Sequence, residues 1–271
     1  MIAMADEQVI RRVVIVCDTA SDIRGAVGQA AVVAARCQAD LRGIFYDDES
    51  LQRLAGLPFG RQVSLSAADV SEAVGDLAKL SSALGASMRR ALEEAAAVHR
   101  LAWTFDATRD LAASQADVFG AGDLLVVERH GRAFSGAWAP KKQWQTRLAA
   151  VAATVLIRGH GAARGGVVIL LPEDQAAQRH VLGLAANLVD ENDPVTVLAV
   201  KPPTDDTIMR AFGAERRRAV RVEAIKGGMD ALRQKLANLA PALVMFDAQS
   251  VGQGDFGALV ADARYDVLLV R

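Results

Sequence analysis

The two halves of the chain open and close on nearly the same apolar phrases, and this internal repeat constrains the fold more than any other feature. The repeated phrases are Arg12–Val16 (RVVIV) and Gly166–Leu170 (GVVIL) at the openings, and Thr154–Arg158 (TVLIR) and Asp266–Arg271 (DVLLVR) at the closings. A repeat at this scale indicates two copies of one domain within the 271 residues. We therefore predict domains over residues 1–158 and 166–271, joined by a linker rich in Gly and Ala.

Within each half, short apolar runs rich in β-branched residues alternate with segments of helical spacing. Such runs suit strands that are buried on both faces of a parallel sheet. The predicted strands are 13–17, 41–46, 101–107, 124–127 and one closing at 157, then 167–171, 195–200, 220–225, 243–246 and 267–270. The predicted fold class is α/β: two tandem doubly wound domains, each a five-stranded parallel sheet of order 3-2-1-4-5 with helices on both faces. In this order a ligand crevice lies at the carboxyl ends of strands 1 and 4.

The two copies differ most between their second and third strands. The first copy has 55 residues there (46 to 100) and the second has 18 (201 to 218). Either the second copy has lost most of the helix that we predict at 77–99, or the first has gained a lid over its crevice. The other predicted helices are one capped by Ser21 or Asp22 and ending near Gln38, and those at 109–118, 143–150, 175–189, 229–239 and 255–263.

Charge, cysteine usage and apolar run length exclude several classes of protein. A formal charge of −1 argues against a general binder of nucleic-acid phosphates, which needs a clear basic excess. The longest apolar run, 148–157, has ten residues, against the ~18 that read as a membrane span. Cys17 and Cys37 lie in apolar segments, as buried free thiols do in a reducing compartment. We expect a soluble, cytoplasmic protein that binds no nucleic acid and no membrane, with no metal site among its four scattered histidines.

Polar residues of the first half meet at the predicted crevice. Asp18 and Thr19 follow strand 1, and the loop after strand 4 carries Arg129, His130, Gly131 and Arg132. Asp18 could accept a hydrogen bond from an adenine amino group or a ribose hydroxyl. The two arginines could hold phosphate, and Gly131 could let backbone N–H groups approach it. The alternative is that Asp18 and Ser21 cap the first helix while the loop is a solvated connection.

The residues in the same loops of the second half are unsuited to binding a nucleotide. Pro172 removes a backbone donor, and Glu173, Asp174 and Asp247 would repel a phosphate. We therefore expect any nucleotide site to lie in the first half.

The pattern of the chain resembles tandem universal stress proteins over roughly residues 12–271. The resemblance lies in the two α/β copies, the aspartate that ends strand 1, the His130-Gly131-Arg132 phrase and the closing VLLVR. Nucleotide-binding members carry G-x-x-G-x9-G-[ST] after strand 4. On the first half these positions fall at Glu128, Gly131, Lys141 and Lys142, and on the second at Asp247, Ser250, Val260 and Ala261.

The resemblance implies a stress or regulatory role, with at most a degenerate nucleotide site in the first half. Asp18 matches the aspartate that contacts adenine, and Gly131 is the one glycine of the motif that is kept. Lys141 could still meet an anionic ligand. The resemblance also implies that the fifth strands of the two copies pair antiparallel, Val155 to Ile157 with Val267 to Val270. The chain is then a pseudo-dimer within one polypeptide, and further homodimerisation stays open.

Three functions remain open from the sequence. The first is a non-catalytic regulatory or stress-response protein with no firmly assigned cofactor and no catalytic residue. The second is a protein that binds ATP or another adenine nucleotide and hydrolyses it slowly, using Asp18, Arg129, Arg132 and Lys141. The third is a scaffold that docks a partner protein through the apolar segment Leu51–Phe59 or through Trp138–Trp144.

Overall fold

The computed structural model describes residues 10–19, 21–47, 67–109, 119–120, 122–128, 154–158, 165–217, 219–247 and 264–270. In the first half its elements are β1 (Arg12–Cys17), α1 (Ile23–Cys37), β2 (Asp40–Tyr46), α2 (Ala67–His99), β3 (Trp103–Thr108), β4 (Asp123–Glu128) and β5 (Thr154–Arg158). In the second half they are β6 (Val167–Leu171), α3 (Gln175–Leu188), β7 (Val195–Ala199), α4 (Asp205–Arg217), β8 (Val220–Ala224), α5 (Gly228–Leu239), β9 (Leu243–Asp247) and β10 (Asp266–Val270). The predicted helices at 143–150 and 255–263 lie outside the described residues, as does the one at 109–118 apart from Arg109.

The strands form one ten-stranded sheet of order β3-β2-β1-β4-β5-β10-β9-β6-β7-β8. Each half has the predicted order 3-2-1-4-5, and its strands run parallel. The halves join where β5 and β10 pair antiparallel, with Leu156 opposite Leu268 and Val155 opposite Leu269. The pairing that the family resemblance implied is therefore confirmed. The division into domains 1–158 and 166–271 stays a prediction.

The alternation of side chains along each strand builds a core on each face of the sheet. Val13 and Ile15 of β1 pack with residues of α1, α2, α3 and α4 on one face. Val14 and Val16 pack on the other face, in the same cluster as Leu232 and Leu236 of α5. Both faces of the sheet are thus covered, which is why the strands read as continuous apolar runs rather than alternating ones.

The helices between the second and third strands differ from the prediction. Helix α2 has 33 residues and begins at Ala67, ten positions before the predicted start at Leu77. The second half keeps a helix of 13 residues, α4, which the sequence analysis did not predict. Its segment is strongly polar, and buried Ile208 and Phe212, one helical turn apart, are its main apolar signal. The helix between the second and third strands is therefore shorter in the second copy, with 13 residues against 33 in the first.

The antiparallel junction places the two predicted crevices at opposite edges of the sheet. Because β5 and β10 run in opposite directions, the carboxyl ends of the first-half strands lie at the edge where the second-half strands begin. The carboxyl ends of the first-half strands and those of the second-half strands therefore lie at opposite edges of the sheet. Among the described residues, no helix is long and apolar enough to cross a membrane.

Candidate functional site

Two acidic residues lie at the carboxyl ends of the adjacent strands β1 and β4. Asp18 follows β1 directly and is 1% exposed, and Glu128 is the last residue of β4 and is 3% exposed. The switch point at which the strand order reverses is thus lined by buried carboxyl groups. Asp18 follows β1 as predicted, and Glu128, predicted as the first residue of the crevice loop and as a position without the family's glycine, is the last residue of β4.

Asp18 and Ser21 close a tight turn between β1 and α1. The Ser21 hydroxyl donates to Asp18 Oδ1 at 3.2 Å, and the Asp18 backbone N–H donates to Ser21 Oγ at 3.0 Å. The Ser21 backbone N–H also donates to the Asp18 carbonyl at 3.2 Å. Thr19 lies within this turn, half-buried. The turn fixes the Asp18 carboxylate at the end of β1 before any ligand arrives.

Helix α1 is capped by Asp22, one of the two predicted capping residues. Asp22 Oδ1 accepts the Gly25 backbone N–H at 3.2 Å. The alternative in which Asp18 and Ser21 cap this helix is therefore wrong, because Asp18 and Ser21 bond to each other in the preceding turn. The Asp18 carboxylate keeps a position at the crevice rather than at the helix terminus.

Glu128 belongs to a polar chain that the sequence analysis missed. Its Oε2 accepts the Asp22 backbone N–H at 3.0 Å, and its Oε1 accepts Arg158 Nη1 at 2.8 Å. Arg158 Nε donates in turn to Gln29 Oε1, and Gln29 Nε2 donates to Asp266 Oδ2 at 2.5 Å. The chain runs from β4 through β5 and α1 to β10, and so connects the first-half crevice to the second half.

The signal for this chain was present in the strand ends. Glu128 and Arg158 each close an apolar run, and in the sheet they occupy paired positions of β4 and β5. Charged residues at paired ends of buried strands are expected to form an ion pair. No contact between Glu128 and Arg158 was predicted from the sequence.

Cys17 lies at the end of β1, beside the same acids. Burial is the main cause that raises the pKa of its thiol, and the charges of Glu128 and Asp18 raise that pKa further. The side chain is fully buried. Since the thiolate is the reactive form of cysteine, Cys17 is a structural thiol and not a nucleophile near neutral pH.

A third acid, Asp47, follows β2 at the same edge of the sheet, and its carboxylate bonds to Ser81 of α2 and to Arg109. Asp47 Oδ1 accepts the Ser81 hydroxyl of α2 at 2.6 Å, and its Oδ2 accepts Arg109 Nε at 3.2 Å. Its backbone N–H donates to the Thr108 carbonyl at 2.9 Å. The first-half edge is therefore acidic along β1, β2 and β4, with Arg158 and Arg109 as cations that carboxylates already hold.

In the second half, acidic and polar residues after β6 serve the structure. Asp174 caps α3 by accepting the backbone N–H groups of Ala176 and Ala177. Gln178 Nε2 donates to the Pro172 carbonyl at 2.8 Å, and Glu173 forms an exposed ion pair with Lys201 at 3.6 Å. The expectation that the second-half loops do not hold a nucleotide stays a prediction.

Most of the predicted crevice falls outside the described residues. These candidates are Arg129, His130, Gly131, Arg132 and Lys141, together with the docking segments Leu51–Phe59 and Trp138–Trp144. Of the predicted site, the structure describes Asp18 and Thr19 alone, so their proximity to the HGR loop stays a prediction. Within the described part of the chain, no three His, Cys, Asp or Glu side chains cluster as metal ligands do.

A groove of about 250 Å³ lies between α1 and α3, over the junction of β5 and β10. Its floor includes Leu156 and Leu268, and Val32 and Val33 of α1 form one wall. Arg36 lines the groove too, donating to the Leu188 carbonyl at 2.6 Å and to Asp190 at 2.9 Å. The groove is thus a mainly apolar feature of the junction, separate from the Asp18 turn.

Two solved structures resemble this chain along nearly its whole length. The first, "a functionally unknown protein PA1789" of Pseudomonas aeruginosa PAO1, is 15% identical with a TM-score of 0.53, over 97% of this chain and 93% of that one. The second, described as "Putative Universal Stress Protein from Pseudomonas aeruginosa UCBPP-PA14", is 16% identical with a TM-score of 0.53, over 98% of this chain and 95% of that one. The chain has a universal stress protein fold.

That likeness establishes the fold and not an activity, since fold alone does not determine function. No family model and no curated protein matches the sequence. Within the universal stress protein fold, the Asp18 turn and the Glu128–Arg158 pair are thus the local features from which function must be argued.

Proposed function

We propose that this chain is a universal stress protein-like regulatory or stress-response protein, non-catalytic, with at most a degenerate nucleotide site around Asp18. The doubly wound fold supports the family-level part of the proposal. The role is then exerted through binding to another molecule rather than through turnover. We propose a cytoplasmic location and a pseudo-dimer built within one chain.

The observation that carries the proposal is the buried Glu128–Arg158 ion pair. Glu128 occupies the position at which nucleotide-binding members of the resembled family have the first glycine of their phosphate motif. A glycine leaves room and backbone N–H groups for phosphate, whereas here a carboxylate contacts the N-terminus of α1 at 3.0 Å. The position therefore repels a triphosphate instead of cradling it.

The described residues at this edge also lack the reactive nucleophile with an adjacent histidine that many hydrolases use. The Cys17 thiol is buried with a raised pKa, and the Ser21 hydroxyl bonds to Asp18 with no histidine beside it among the described contacts. Among the described residues, Asp18 favours the alternative, an adenine-nucleotide protein with slow hydrolysis, because its carboxylate lies at the switch point. Docking of a partner protein through Leu51–Phe59 or Trp138–Trp144 remains a further alternative.

Nucleotide content and thermal stability test the proposal. Protein purified without added nucleotide is denatured, and the supernatant is analysed for adenine nucleotides. The melting temperature is then measured with and without millimolar ATP and Mg²⁺. A ligand at 100 times its Kd adds about 2.7 kcal/mol of stability. We expect no co-purified nucleotide and no ATP-dependent shift.

Asp18→Asn is the matched variant, because it keeps the size of the side chain and removes its charge. An ATP-dependent rise in melting temperature that is present in the wild type and lost in Asp18→Asn contradicts the proposal and supports the nucleotide alternative. Asp174→Asn, at the N-cap of α3 in the second half, controls for the general effect of removing a carboxylate.

A further inference from the structure

We propose that Glu128 acts as an internal anion that closes the first-half crevice to phosphate-bearing ligands. In this role it occupies the N-terminus of α1 and neutralises Arg158. The inference rests on the proposed function and deepens it, since it names the residue that sets which ligands this crevice excludes. If Glu128 has this role, removal of its negative charge must create an anion site where the wild type has none.

Two donors at the N-terminus of α1, the Asp22 and Gly25 N–H groups, are already satisfied by carboxylates of the protein itself. A helix N-terminus attracts anions because its first N–H groups lack intrahelical partners and the helix dipole is positive there. Here the Asp22 N–H donates to Glu128 Oε2 at 3.0 Å, and the Gly25 N–H donates to Asp22 Oδ1 at 3.2 Å. Glu128 reaches this position from β4, more than a hundred residues away in sequence.

The cation that a phosphate would need is also in place and already neutralised. Arg158 Nη1 donates to Glu128 Oε1 at 2.8 Å, with Glu128 3% and Arg158 16% exposed. Arg158 Nε is fixed by Gln29 Oε1. A Cβ on Gly25 would lie 3.2 Å from Arg158 Nη2 and 2.1 Å from Asp22 Oδ2. Gly25 thus gives the guanidinium and the capping carboxylate room against the first turn of α1.

An anion entering the wild type must displace Glu128 or lie beside its charge. Displacement leaves a buried carboxylate without its partner, and coexistence places like charges in contact, so both routes are unfavourable. Glu128→Gln keeps the shape of the side chain, and its amide oxygen can still accept the Asp22 N–H. It also removes the carboxylate that is ion-paired with Arg158, and the Asp22 capping carboxylate stays as the other negative charge beside the first turn of α1. The variant therefore favours an incoming anion over the native contact.

Pyrophosphate and inorganic phosphate are the probes, measured by isothermal titration calorimetry on the full chain. We expect no measurable binding to the wild type and measurable pyrophosphate binding to Glu128→Gln, with a Kd at least ~10-fold below the highest concentration tested on the wild type, weakening as salt is raised. The double variant Glu128→Gln/Arg158→Met should lose that gain, because the guanidinium has gone. Glu173→Gln, which removes an exposed ion-paired glutamate of the second half, should behave as the wild type.

Two results overturn the inference: no gain in Glu128→Gln, or an equal gain in the double variant. If Glu128→Gln is partly unfolded, recovery of its circular dichroism on adding pyrophosphate becomes the readout. If the circular dichroism of Glu128→Gln does not recover, or if that of the double variant recovers equally, the inference is overturned in the same way. Binding of ATP to the wild type through Asp18 contradicts the proposed function instead, so the two failures are distinguishable.

Discussion

At the scale of the single residue, burial at the end of β1 decides the chemistry of Cys17. The thiol is fully buried, and burial, followed by the charges of Glu128 and Asp18, raises its pKa far above the ordinary 9.0. Cys37 on α1 is half-buried, and burial raises its pKa to about 11. Both thiols keep their protons in the folded chain at pH values where the unfolded chain loses them.

This difference predicts a loss of stability in alkaline solution. A raised folded pKa contributes stability that is present in full below about pH 9 and is lost as the pH rises from there towards the folded pKa. The maximum loss for one group is about 1.4 kcal/mol per pH unit. The fall in the free energy of unfolding between pH 8 and 10.5 should therefore be smaller in Cys17→Ala than in the wild type, by about 1 to 2 kcal/mol.

Urea titrations at several pH values between 7 and 10.5 measure the effect. The loss of side-chain volume lowers the stability of Cys17→Ala at every pH, so the comparison is between the slopes of the two profiles. Parallel profiles for the wild type and Cys17→Ala would show that the thiol ionises equally in both states. Cys37→Ala provides a second, independent slope from a thiol farther from the acids.

At this scale the sequence predicts the position of a residue in the fold better than it predicts the partners of its side chain. The position of Asp18 follows from strand polarity and strand order, both of which were predictable. The Glu128–Arg158–Gln29–Asp266 chain was not, because its members lie on four elements and meet only when the sheet is assembled. Local pattern carries little information about side-chain partners that are distant in sequence.

At the scale of the element, the contact between α2 and β2 depends on a glycine. A Cβ on Gly43 would lie 2.1 Å from Leu92 Cδ1 and 3.1 Å from Met88 Cε. Both side chains are fully buried in the core and have little room to move. Gly43→Ala should therefore overpack this contact and lower the free energy of unfolding by about 1 to 3 kcal/mol.

Gly28→Ala is a control that should change the free energy of unfolding in the opposite direction. It lies on the exposed side of α1, and a Cβ there would meet nothing within 4 Å. Alanine in a helix interior is favoured over glycine by about 1 kcal/mol, so Gly28→Ala should stabilise the chain. Urea denaturation of the two variants and the wild type measures both effects. A Gly43→Ala protein as stable as the wild type would mean that α2 can shift away from β2 freely.

Helices and strands were more predictable from the sequence than the contacts between side chains distant in sequence. The predicted strands agree with the observed ones to within two residues, because doubly buried strands leave long β-branched runs in the sequence. The errors lie in helices. The first turns of α2 and the whole of α4 were not predicted, and α4 has a non-helical Gly213 at φ 77°. The α4 segment is strongly polar overall, so its few apolar residues were overlooked although Ile208 and Phe212 have helical spacing.

At the scale of the whole molecule, the junction of β5 and β10 joins the two halves into one sheet. Leu156 and Leu268 face each other there, and both are buried. Side-chain bonds also cross the junction: Gln29 bonds to Asp266, and Arg36 bonds to the Leu188 carbonyl and to Asp190. The internal repeat and the family resemblance together predicted this arrangement, which neither half of the sequence could specify alone.

The joined sheet predicts that the two halves unfold together. All three tryptophans, Trp103, Trp138 and Trp144, belong to the first half of the sequence, so tryptophan fluorescence reports on that half. Leu236 of α5 is buried in the second half, and Leu236→Ala should destabilise the chain by about 2 to 5 kcal/mol. The urea midpoint from tryptophan fluorescence should then fall together with the midpoint from circular dichroism, because the junction transmits the loss.

Met209→Ala is the matched control, since Met209 lies on α4 of the same half and is 42% exposed. Its effect on either midpoint should stay within about 0.5 kcal/mol of stability. A Leu236→Ala protein whose circular dichroism midpoint falls while its fluorescence midpoint stays in place would show two independent halves. In that case the links at the junction position the halves without coupling their stabilities, and the first-half crevice would be insulated from changes in the second.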